Sequence, residues 1–326
     1  MKKYTIKRYE STDYKNWNAF INKAKNATFL FHRDFMEYHK DRFEDYSLIV
    51  VEEDKWVAIL PANRIGNTVH SHQGLTYGGL VYDHKVKLAN CIEIFQNLLF
   101  FLHSNAIEKL QIKTIPSIYH YQPTEELSYA LFLANATLTR RDSLTVIDLS
   151  LTNTLSTVRN RGVKAGIKNK LEIKEEETLD TFWEEVLVPN LESKFDTKPV
   201  HNLEEISRLK RFFPKNIRQF NVYQDENIIA GTTIFESENV AHCQYIATIK
   251  SKKELGGLDY LFNHLITEVF KQKRFFDFGN SNVNSGRNLN KGLSYWKESF
   301  GAGTIIHDYY EVQTANFSLL ENSLIN

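Results

Sequence analysis

The stretch EEDKWVAILPANRIGNTVH (52–70) aligns without a gap with QDENIIAGTTIFESENVAH (224–242), at an offset of 172 residues. Each stretch begins with an acidic turn and continues as an apolar run typical of a β-strand. A polar turn follows, at Asn67 in the first stretch and at Asn239 in the second, and then a short strand that ends at a histidine. This match predicts that one structural unit occurs twice in the chain.

Helices and further strands follow in the same order after each stretch. Residues 86–104 and 258–274 both carry apolar side chains at intervals of three and four, which predicts an amphipathic helix in each. Strand-like runs come next, at 109–115 and 274–280. A hairpin makes a sheet antiparallel, whereas a crossover through a helix makes it parallel. The predicted fold class is therefore α/β with a mixed α+β sheet.

The chain length agrees with two such units. A domain typically has roughly 150 residues, so 326 residues correspond to about two domains. We predict an N-terminal domain at 1–150 and a C-terminal domain at 151–326. A ligand-binding cleft is expected at their junction, because domain interfaces are favoured positions for ligands.

Composition and charge exclude several classes of protein. The 40 Lys and Arg residues balance the 40 Asp and Glu residues, so no net charge attracts the whole molecule to DNA or to an anionic membrane. The N-terminus carries charges and no apolar signal segment, and the longest apolar runs are only a few residues long. We expect a cytoplasmic protein without a membrane span.

The spacing of cysteine and histidine predicts no metal site. Cys91 and Cys243 lie far apart and outside any metal-ligand spacing, so neither structural zinc nor a disulfide is predicted, and Cys243 is expected to be buried. His70 and His242 occupy matching positions of the repeat, and His72 forms a His-x-His pair with His70, but no third ligand is near. His242 is either a general base or a hydrogen-bonded core histidine.

Two glycines precede the second predicted helix. Gly256 and Gly257 follow a basic loop that includes Lys253. Adjacent glycines allow backbone N–H groups to converge, and a helix N-terminus adds a positive dipole, so this loop is a candidate cradle for phosphate or pyrophosphate. The alternative is an ordinary turn before a helix.

A basic segment opens the second half of the chain. Five basic residues fall within twelve positions: Arg159, Arg161, Lys164, Lys168 and Lys170. Helical spacing places Arg161, Lys164 and Lys168 on one face, where they could bind a phosphorylated ligand or an RNA backbone. The alternative is a solvated face that is balanced by the acidic residues 175–177.

A glycine-rich segment, GLTYGGLVYD (74–83), follows the first repeated stretch. Tyr77 and Gly78 suit an aromatic wall and a close approach of the backbone to a substrate. The alternative is again a turn.

Glycine and amide residues are densest near the C-terminus, in 275–302. A strand is predicted to end at Asp277, and a loop with Asn280 and Arg287 follows it. Polar loops at strand ends often form binding sites, so we favour a functional role for this segment.

This last segment resembles a known family. DFG at 277–279, a glycine-containing loop and YWKESFG at 295–301 are similar to the C-terminal signature of the FemAB-like acyltransferases, which include BioF2-like acetyltransferase domains. These proteins consist of two GNAT-type domains in tandem. VRNRGVKAGIKNKLEI (158–173) resembles the basic entry helix of their second domain. GLTYGGL and KELGGLDYL resemble, respectively, the glycine-rich patch of their first domain and the loop before the central helix.

The resemblance implies two tandem GNAT-like domains and the transfer of an acyl or aminoacyl group to an amine. It implies that Lys297 stabilises the negative charge that develops on the carbonyl oxygen. Asp277 or His242 would accept or relay the amine proton, and Tyr295 would form a hydrogen bond near the leaving group. The expected donor-binding residues are Lys253, Leu255, Gly256, Gly257 and Asn280. The expected acceptor-binding residues are Tyr77, Gly78, Arg159, Arg161, Lys164 and Arg287.

Two departures from the family pattern concern the donor. Members that use aminoacyl-tRNA often carry a long helical hairpin in the second domain, whereas 172–215 has room only for short helices. This favours acyl-CoA as the co-substrate, without a metal, over charged tRNA. KKELGGL also departs from the GNAT pyrophosphate pattern Q/R-x-x-G-x-G/A, because one glycine has moved.

The resulting expectation is an acyltransferase that modifies an amine of a small phosphorylated or sugar-linked acceptor, in cell-envelope or glycan synthesis. Donor binding and catalysis are expected in the C-terminal domain, while the N-terminal domain binds the acceptor or shapes the pocket. Two alternatives stay open: aminoacyl transfer from charged tRNA to a peptidoglycan precursor, and a non-catalytic binding or scaffold module.

Overall fold

The computed structural model describes residues 4–152 and 154–325. The chain divides into two compact units. Unit 1 comprises Met1–Asp142, Ser285–Arg287 and Ile306–Asn326, and unit 2 comprises Ser143–Asn284 and Asn288–Ile305. The division falls inside two long strands, so the end of the chain belongs to the same unit as its beginning.

Most elements of unit 1 precede residue 150. They are β1 (Thr5–Arg8), α1 (Tyr14–Ile21), α2 (Arg33–Met36), β2 (Glu44–Asp45), β3 (Leu48–Glu52), β4 (Lys55–Leu60), β5 (Asn63–Ile65), β6 (Thr68–His70), β7 (Val81–Tyr82), α3 (Leu88–Ser104), β8 (Lys109–Lys113), α4 (Glu126–Leu133) and β9 (Thr137–Asp148).

The elements of unit 2 follow, and the last strand ends in unit 1. They are α5 (Thr157–Lys168), β10 (Glu172–Glu176), α6 (Asp180–Phe182), α7 (Val188–Phe195), α8 (Leu203–Phe212), β11 (Ile217–Gln224), β12 (Asn227–Glu236), β13 (Val240–Thr248), α9 (Gly257–His264), β14 (Phe275–Asn280), β15 (Asn282–Val283), β16 (Asn288–Leu289), α10 (Lys291–Glu298) and β17 (Gly303–Gln313). Within 172–215, α6 continues through a π-helical segment (Trp183–Leu187) into α7, so one helical run extends from residue 180 to 195, longer than the short helices expected there.

Both units combine antiparallel hairpins with one parallel crossover. In unit 1, an antiparallel sheet has the strand order β1-β3-β4-β7, and a second set has the order β2-β5-β6-β8-β17. β6 and β8 are parallel and α3 joins them. In unit 2 the order is β10-β11-β12-β13-β14, and α9 joins the parallel strands β13 and β14. The predicted α/β fold with a mixed sheet is confirmed.

Matching hairpin turns confirm the register of the internal repeat. Glu53 and Asp54 have φ of 47° and 63°, and Asp225 and Glu226, 172 positions later, have φ of 47° and 68°. Two consecutive residues with positive φ form the tight turn whose twist suits a β-hairpin. The same turn therefore opens the repeated strand in each unit.

One proline explains the main difference between the repeated strands. The stretch that forms the continuous β12 in unit 2 corresponds to β4 and β5 in unit 1, and Pro61 separates them. Proline has no N–H to donate to a neighbouring strand, so it ends a strand within a sheet. In unit 1 the two pieces consequently belong to different sheets.

The predicted apolar faces form the cores. On α3, Ile92, Phe95, Leu99 and Leu102 are all buried in unit 1. A helical segment that begins with α9 and continues as a π-turn, Leu265–Val269, buries its apolar face in unit 2 in the same way. Each fully buried Leu or Phe side chain contributes about 1.5–3 kcal/mol to stability. Among the described residues, no helix is both long enough and apolar enough to cross a membrane.

Candidate active site

Unit 2 contains two parallel strands whose pairing stops part-way along their length. β13 and β14 pair over three residues, and the last pair is His242–Asp277. Along these fully described strands, β13 then continues to Thr248 and β14 to Asn280 without further pairing between them. Within these strands, β13 beyond His242 therefore has no strand partner on its β14 side. His242 and Asp277 lie at the base of this gap.

His242 and Asp277 form a hydrogen-bonded pair. Nδ1 of His242 lies 2.8 Å from Oδ2 of Asp277, and the backbone N–H of Gly279 donates to Oδ1 at 2.7 Å. The Asp277 side chain is 1% exposed and the His242 side chain 13%, so the imidazole is the member that a substrate can reach. A carboxylate beside Nδ1 favours the tautomer with its hydrogen there, which leaves Nε2 as the proton acceptor.

A left-handed residue brings these groups together. Gly279 has a φ of +69°, and a Cβ at this position would lie 3.3 Å from Cε1 of His242. Glycine adopts this conformation without steric cost. The bend directs the N–H of Gly279 to Asp277 and its carbonyl to Lys297.

Lys297 is the third charged group of the cluster. It lies on α10, which begins after Asn290, whose side chain accepts a hydrogen bond from the backbone N–H of Leu293. The Lys297 ammonium donates to the carbonyl of Gly279 at 3.2 Å and to that of Asn280. The side chain is buried, and burial lowers its pKa to about 8 even though the Asp277 carboxylate acts in the opposite direction. An ammonium has three N–H donors, so one is left for a substrate.

Cys243 follows His242 and is buried, as predicted. Burial raises the pKa of its thiol well above the ordinary value, and the nearby Asp277 carboxylate raises it further. A thiol in this state is not a nucleophile at neutral pH.

A cavity of about 440 Å³ lies at the far end of β13. Its lining comes from the end of that strand, the glycine loop, α5, α7, the first turn of α9 and α10: Ile246, Ala247, Thr248, Lys253, Gly256, Arg159, Asn190, Leu258, Asp259, Leu293 and Trp296. This volume lies in the range of small-molecule sites. Because α10 supplies both the cavity wall and Lys297, the cavity and the charged cluster share one helix.

The glycine loop packs closely on α5. Gly256 has a φ of +78°, and a Cβ there would lie 2.1 Å from the carbonyl oxygen of Gly162. One turn later on α5, a Cβ at Gly166 would lie 2.6 Å from the side chain of Tyr260. Glycine at these positions lets the N-terminus of α9 approach α5.

A carboxylate already occupies the start of α9. Asp259 lies in the first turn of the helix, where the helix dipole stabilises negative charge, and its Oδ1 lies 2.5 Å from Nη1 of Arg159. Burial raises the pKa of Asp259, while Arg159 acts to lower it. The charge of Arg159 is thus balanced within the protein, and Lys253 remains as the other cation that lines the cavity.

The remaining predicted residues of unit 2 lie outside the lining of the cavity. Tyr295 is 59% exposed. Arg161 and Lys164 are exposed on α5, and they are not among the residues that line the cavity. Leu255 packs against the core, and a Cβ at Gly257 would lie 3.1 Å from Ile229. Of the predicted residues, the structure brings together Lys297, Asp277, His242 and the backbone of Asn280, and it places Arg159, Lys253 and Gly256 around the cavity.

Three predicted residues belong to unit 1. Tyr77 is buried and its hydroxyl donates to Oγ1 of Thr28 at 3.0 Å. A Cβ at Gly78 would lie 2.1 Å from the carbonyl oxygen of Ser71. Arg287 is exposed in the short segment Ser285–Arg287.

Sequence reasoning missed several residues that line the cavity: Asn190, Ile246, Ala247, Thr248, Leu258, Asp259, Leu293 and Trp296. Trp296 is adjacent to Lys297 in the quoted signature, and Asp259 stands near the start of a predicted helix, so both had a sequence signal. The strand residues Ile246, Ala247 and Thr248 carried no such signal, because residues of these types occur in many buried strands.

Comparison with known proteins identifies the fold. No protein-family profile matches the chain, and no curated protein sequence matches it. Among solved structures, FemX has a TM-score of 0.66 at 10% identity, covering 97% of this chain and 99% of that chain. L-PGS from Bacillus licheniformis has a TM-score of 0.59 at 13% identity, covering 95% and 94%. A tandem GNAT protein from the clavulanic acid biosynthesis pathway has a TM-score of 0.51 at 11% identity, covering 95% and 98%. The chain therefore has the tandem GNAT fold of the FemAB-like proteins.

Proposed function

We propose that this protein is an N-acyltransferase that moves an acyl group from acyl-CoA to an amine of a small phosphorylated or sugar-linked acceptor. The observation that carries the proposal is the gap between β13 and β14, which has the His242–Asp277 pair at its base. The donor would occupy the cavity of unit 2, with its thioester directed towards this pair.

The His242–Asp277 pair suits the proton transfer that this reaction requires. The amine nitrogen attacks the thioester carbon, and Nε2 of His242 takes the proton that the nitrogen loses. The buried Asp277 carboxylate balances the positive charge of the imidazolium ion. When the C–S bond breaks, the proton passes to the departing sulfur, so the products are an amide and free CoA. No covalent intermediate with the protein is needed.

Lys297 suits the stabilisation of the developing charge. The carbonyl oxygen becomes negative during attack, and donors that are already in place lower the energy of this state. Two hydrogens of the Lys297 ammonium are held by the carbonyls of Gly279 and Asn280, which fixes its position. The third hydrogen is the one proposed to meet the carbonyl oxygen.

Calorimetry and a thiol-release assay test the proposal. Titration with acetyl-CoA and longer acyl-CoAs is expected to give saturable binding. With a panel of amines, His242→Gln is expected to slow CoA release by about 10²- to 10⁴-fold, the usual range for a general base. The control is His264→Gln, on the same unit but outside the cluster, which keeps its rate. Absence of saturable binding to every acyl-CoA would sink the donor assignment.

One observation favours a different donor, an aminoacyl-tRNA. Arg161, Lys164 and Lys168 are exposed along α5 and are suited to phosphates of an RNA backbone. Gel shifts with tRNA at increasing salt separate the two donors, because each phosphate contact adds to the salt dependence. Under this alternative, replacing these three residues by glutamine abolishes the shift, whereas under the acyl-CoA proposal the wild-type protein shows no specific shift.

A further inference from the structure

Unit 1 contains the counterpart of the strand pair that carries His242 and Asp277. The pairing of the parallel strands β6 and β8 ends at His70–Gln111, and the repeat matches His70 to His242. Gln111 thus stands where unit 2 has a carboxylate. A neutral amide cannot balance the charge of an imidazolium ion, and burial lowers the pKa of His70. At this position His70 is therefore paired with an amide, where His242 is paired with a carboxylate.

The chain itself closes the space beyond this strand pair. The backbone N–H of Ser71 donates to the carbonyl of Gln111 at 2.8 Å, and the N–H of Lys113 donates to Oγ of Ser71 at 2.9 Å. The N–H of Gly78 then donates to the carbonyl of Lys113 at 2.9 Å. The glycine-rich segment therefore seals the space that the donor would need, and a different ligand must be considered for unit 1.

A cavity of about 410 Å³ lies beside this closed strand pair. The residues that give it chemical character are His70, Gln111, Lys113, Arg140 and Tyr309. All of them belong to unit 1. The volume suits a small molecule rather than a single ion or water.

Lys113 brings an unbalanced positive charge to this cavity. Its ammonium donates to the carbonyl of Gln73 at 3.0 Å and to that of Leu75. Within the part of the chain that the structure describes, Lys113 forms no ion pair. Burial, and to a smaller extent the charge of Arg140, lowers its pKa to about 8. A half-buried ammonium without a counter-ion costs free energy, which an anion would recover.

The other charged groups near the cavity are balanced among themselves. Arg140 forms a two-pronged ion pair with Asp142, with a closest distance of 2.6 Å, and its guanidinium lies 4.6 Å from the ring centre of Tyr309. Glu311 is paired with Lys109 at 2.9 Å, and it also accepts a hydrogen bond from Gln111.

A third ion pair joins Arg141 to Asp308 at 2.6 Å, and Tyr310 donates to Asp308. Burial raises the pKa of Tyr309 to about 12, so this phenol carries no charge at neutral pH. The net charge of the cavity is therefore that of Lys113.

We propose that this cavity of unit 1 binds a small molecule through a carboxylate or phosphate group, with the Lys113 ammonium as its counter-ion. The Nε and Nη2 atoms of Arg140 bind Asp142, which leaves Nη1 to donate a second hydrogen bond to the same group. Ile112 and Tyr310 line the cavity beside Tyr309 and would contact the rest of the molecule. The proposal does not depend on the donor of unit 2.

Calorimetry on the intact chain tests the site. Succinate and inorganic phosphate, titrated separately at pH 7 and constant ionic strength, distinguish a carboxylate site from a phosphate site. One of them is expected to bind saturably, and Lys113→Met is expected to weaken this binding at least tenfold. Lys55→Met, which changes an exposed lysine of the same unit, is expected to leave it unchanged. The affinity is also expected to fall as the pH rises through about 8, because Lys113 then loses its proton.

Amine labelling of the wild-type protein decides the question even if Lys113→Met fails to fold. At pH 8 the bound anion is expected to slow the acetylation of Lys113 by acetic anhydride and to leave the acetylation of Lys55 unaffected. Peptide mass spectrometry measures both reactions. Equal affinity in Lys113→Met, no saturable binding of either anion, or equal protection of both lysines would each overturn the proposal. In those cases Lys113 serves only to hold the carbonyls of Gln73 and Leu75.

Discussion

Replacing Asp277 with asparagine tests the charged cluster most directly. The change keeps the shape of the side chain and removes its charge. The carboxylate accepts hydrogen bonds from His242 and from the N–H of Gly279, and it acts to raise the pKa of the buried Lys297. We expect Asp277→Asn to destabilise the folded protein by about 2–3 kcal/mol at pH 7.

The size of this effect follows from the pKa of Lys297. With Asp277 present, that pKa is about 8. Without the carboxylate the pKa of Lys297 falls further. Once this pKa lies below the pH of the solution, the folded protein holds Lys297 as a neutral amine. The charge-related loss at pH 7 is therefore limited to about one pKa unit, or about 1.4 kcal/mol. The neutral amide also accepts weaker hydrogen bonds than the carboxylate, which adds about 0.5–1 kcal/mol for each of two bonds.

The pH dependence distinguishes this explanation from a simple loss of packing. In the folded wild-type protein the pKa of Lys297 lies below its ordinary value of 10.5, so the unfolded chain binds more protons between about pH 8 and 10.5 and stability rises there. In the variant this rise begins at a lower pH. The loss caused by Asp277→Asn is consequently largest at pH 7 and below, and it shrinks towards pH 9.

Urea unfolding at pH 7 and at pH 9 measures both quantities. Asp225→Asn is the matched control, because Asp225 is exposed in a hairpin turn with a φ of 47° that asparagine also adopts. Its free energy of unfolding is expected to stay within about 0.5 kcal/mol of the wild type at both pH values. An Asp277→Asn loss below about 0.5 kcal/mol at pH 7, or an equal loss at pH 9, would refute the reasoning.

Three further substitutions have expected outcomes. Gly256→Ala is expected to lower stability by at least about 2 kcal/mol in thermal unfolding, because its φ is +78° and its Cβ would lie 2.1 Å from the carbonyl of Gly162. Arg159→Ala leaves Asp259 without its ion-pair partner, at a cost of about 1–3 kcal/mol at pH 7. Burial raises the pKa of Asp259, so the folded variant takes up a proton as the pH falls, and urea unfolding should show a smaller loss near pH 4. Tyr77→Phe is expected to cost about 1 kcal/mol in urea unfolding without changing acyl-CoA binding by calorimetry.

Each of these variants has a control in the same chain. Gly303→Ala introduces a Cβ with no atom within 4 Å, and Arg161→Ala changes an exposed arginine of α5. Tyr129→Phe removes a hydroxyl from a tyrosine of unit 1 that is 46% exposed. All three controls are expected to unfold as the wild type does. If Gly256→Ala were as stable as Gly303→Ala, the close approach of the glycine loop to α5 would be wrong.

The internal repeat was predictable because its signals are local. The acidic turns at 53–54 and 225–226 and the two histidines at matching positions each depend on a few neighbouring residues. The three polar residues of the cluster, His242, Asp277 and Lys297, were also identified from sequence. Their hydrogen bonds and burial were not, since these depend on the left-handed bend at Gly279 and on the packing of α10.

The cavity wall and the division into units could not be predicted in this way. Ile246 and Ala247 look like any apolar strand residues, and only the missing strand pairing beyond His242 makes them part of a cavity. Domain boundaries are usually recognised by linker composition. Here the division lies within β9 and β17, and residues inside a strand carry no such composition.

The return of β17 to unit 1 has a consequence for synthesis on the ribosome. β17 pairs with β8 from Tyr309–Lys113 to Gln313–Lys109, and Val312 and Leu320 enter the core of unit 1. The N-terminal unit therefore cannot complete its fold until residues 309–320 have been translated. At roughly 5–20 residues per second, it waits for about ten to thirty seconds while the whole of unit 2 emerges. Unit 1 is translated before unit 2 but completes its fold after it. During that interval β8 lacks its partner β17, and its exposed edge could bind a chaperone that shields nascent chains.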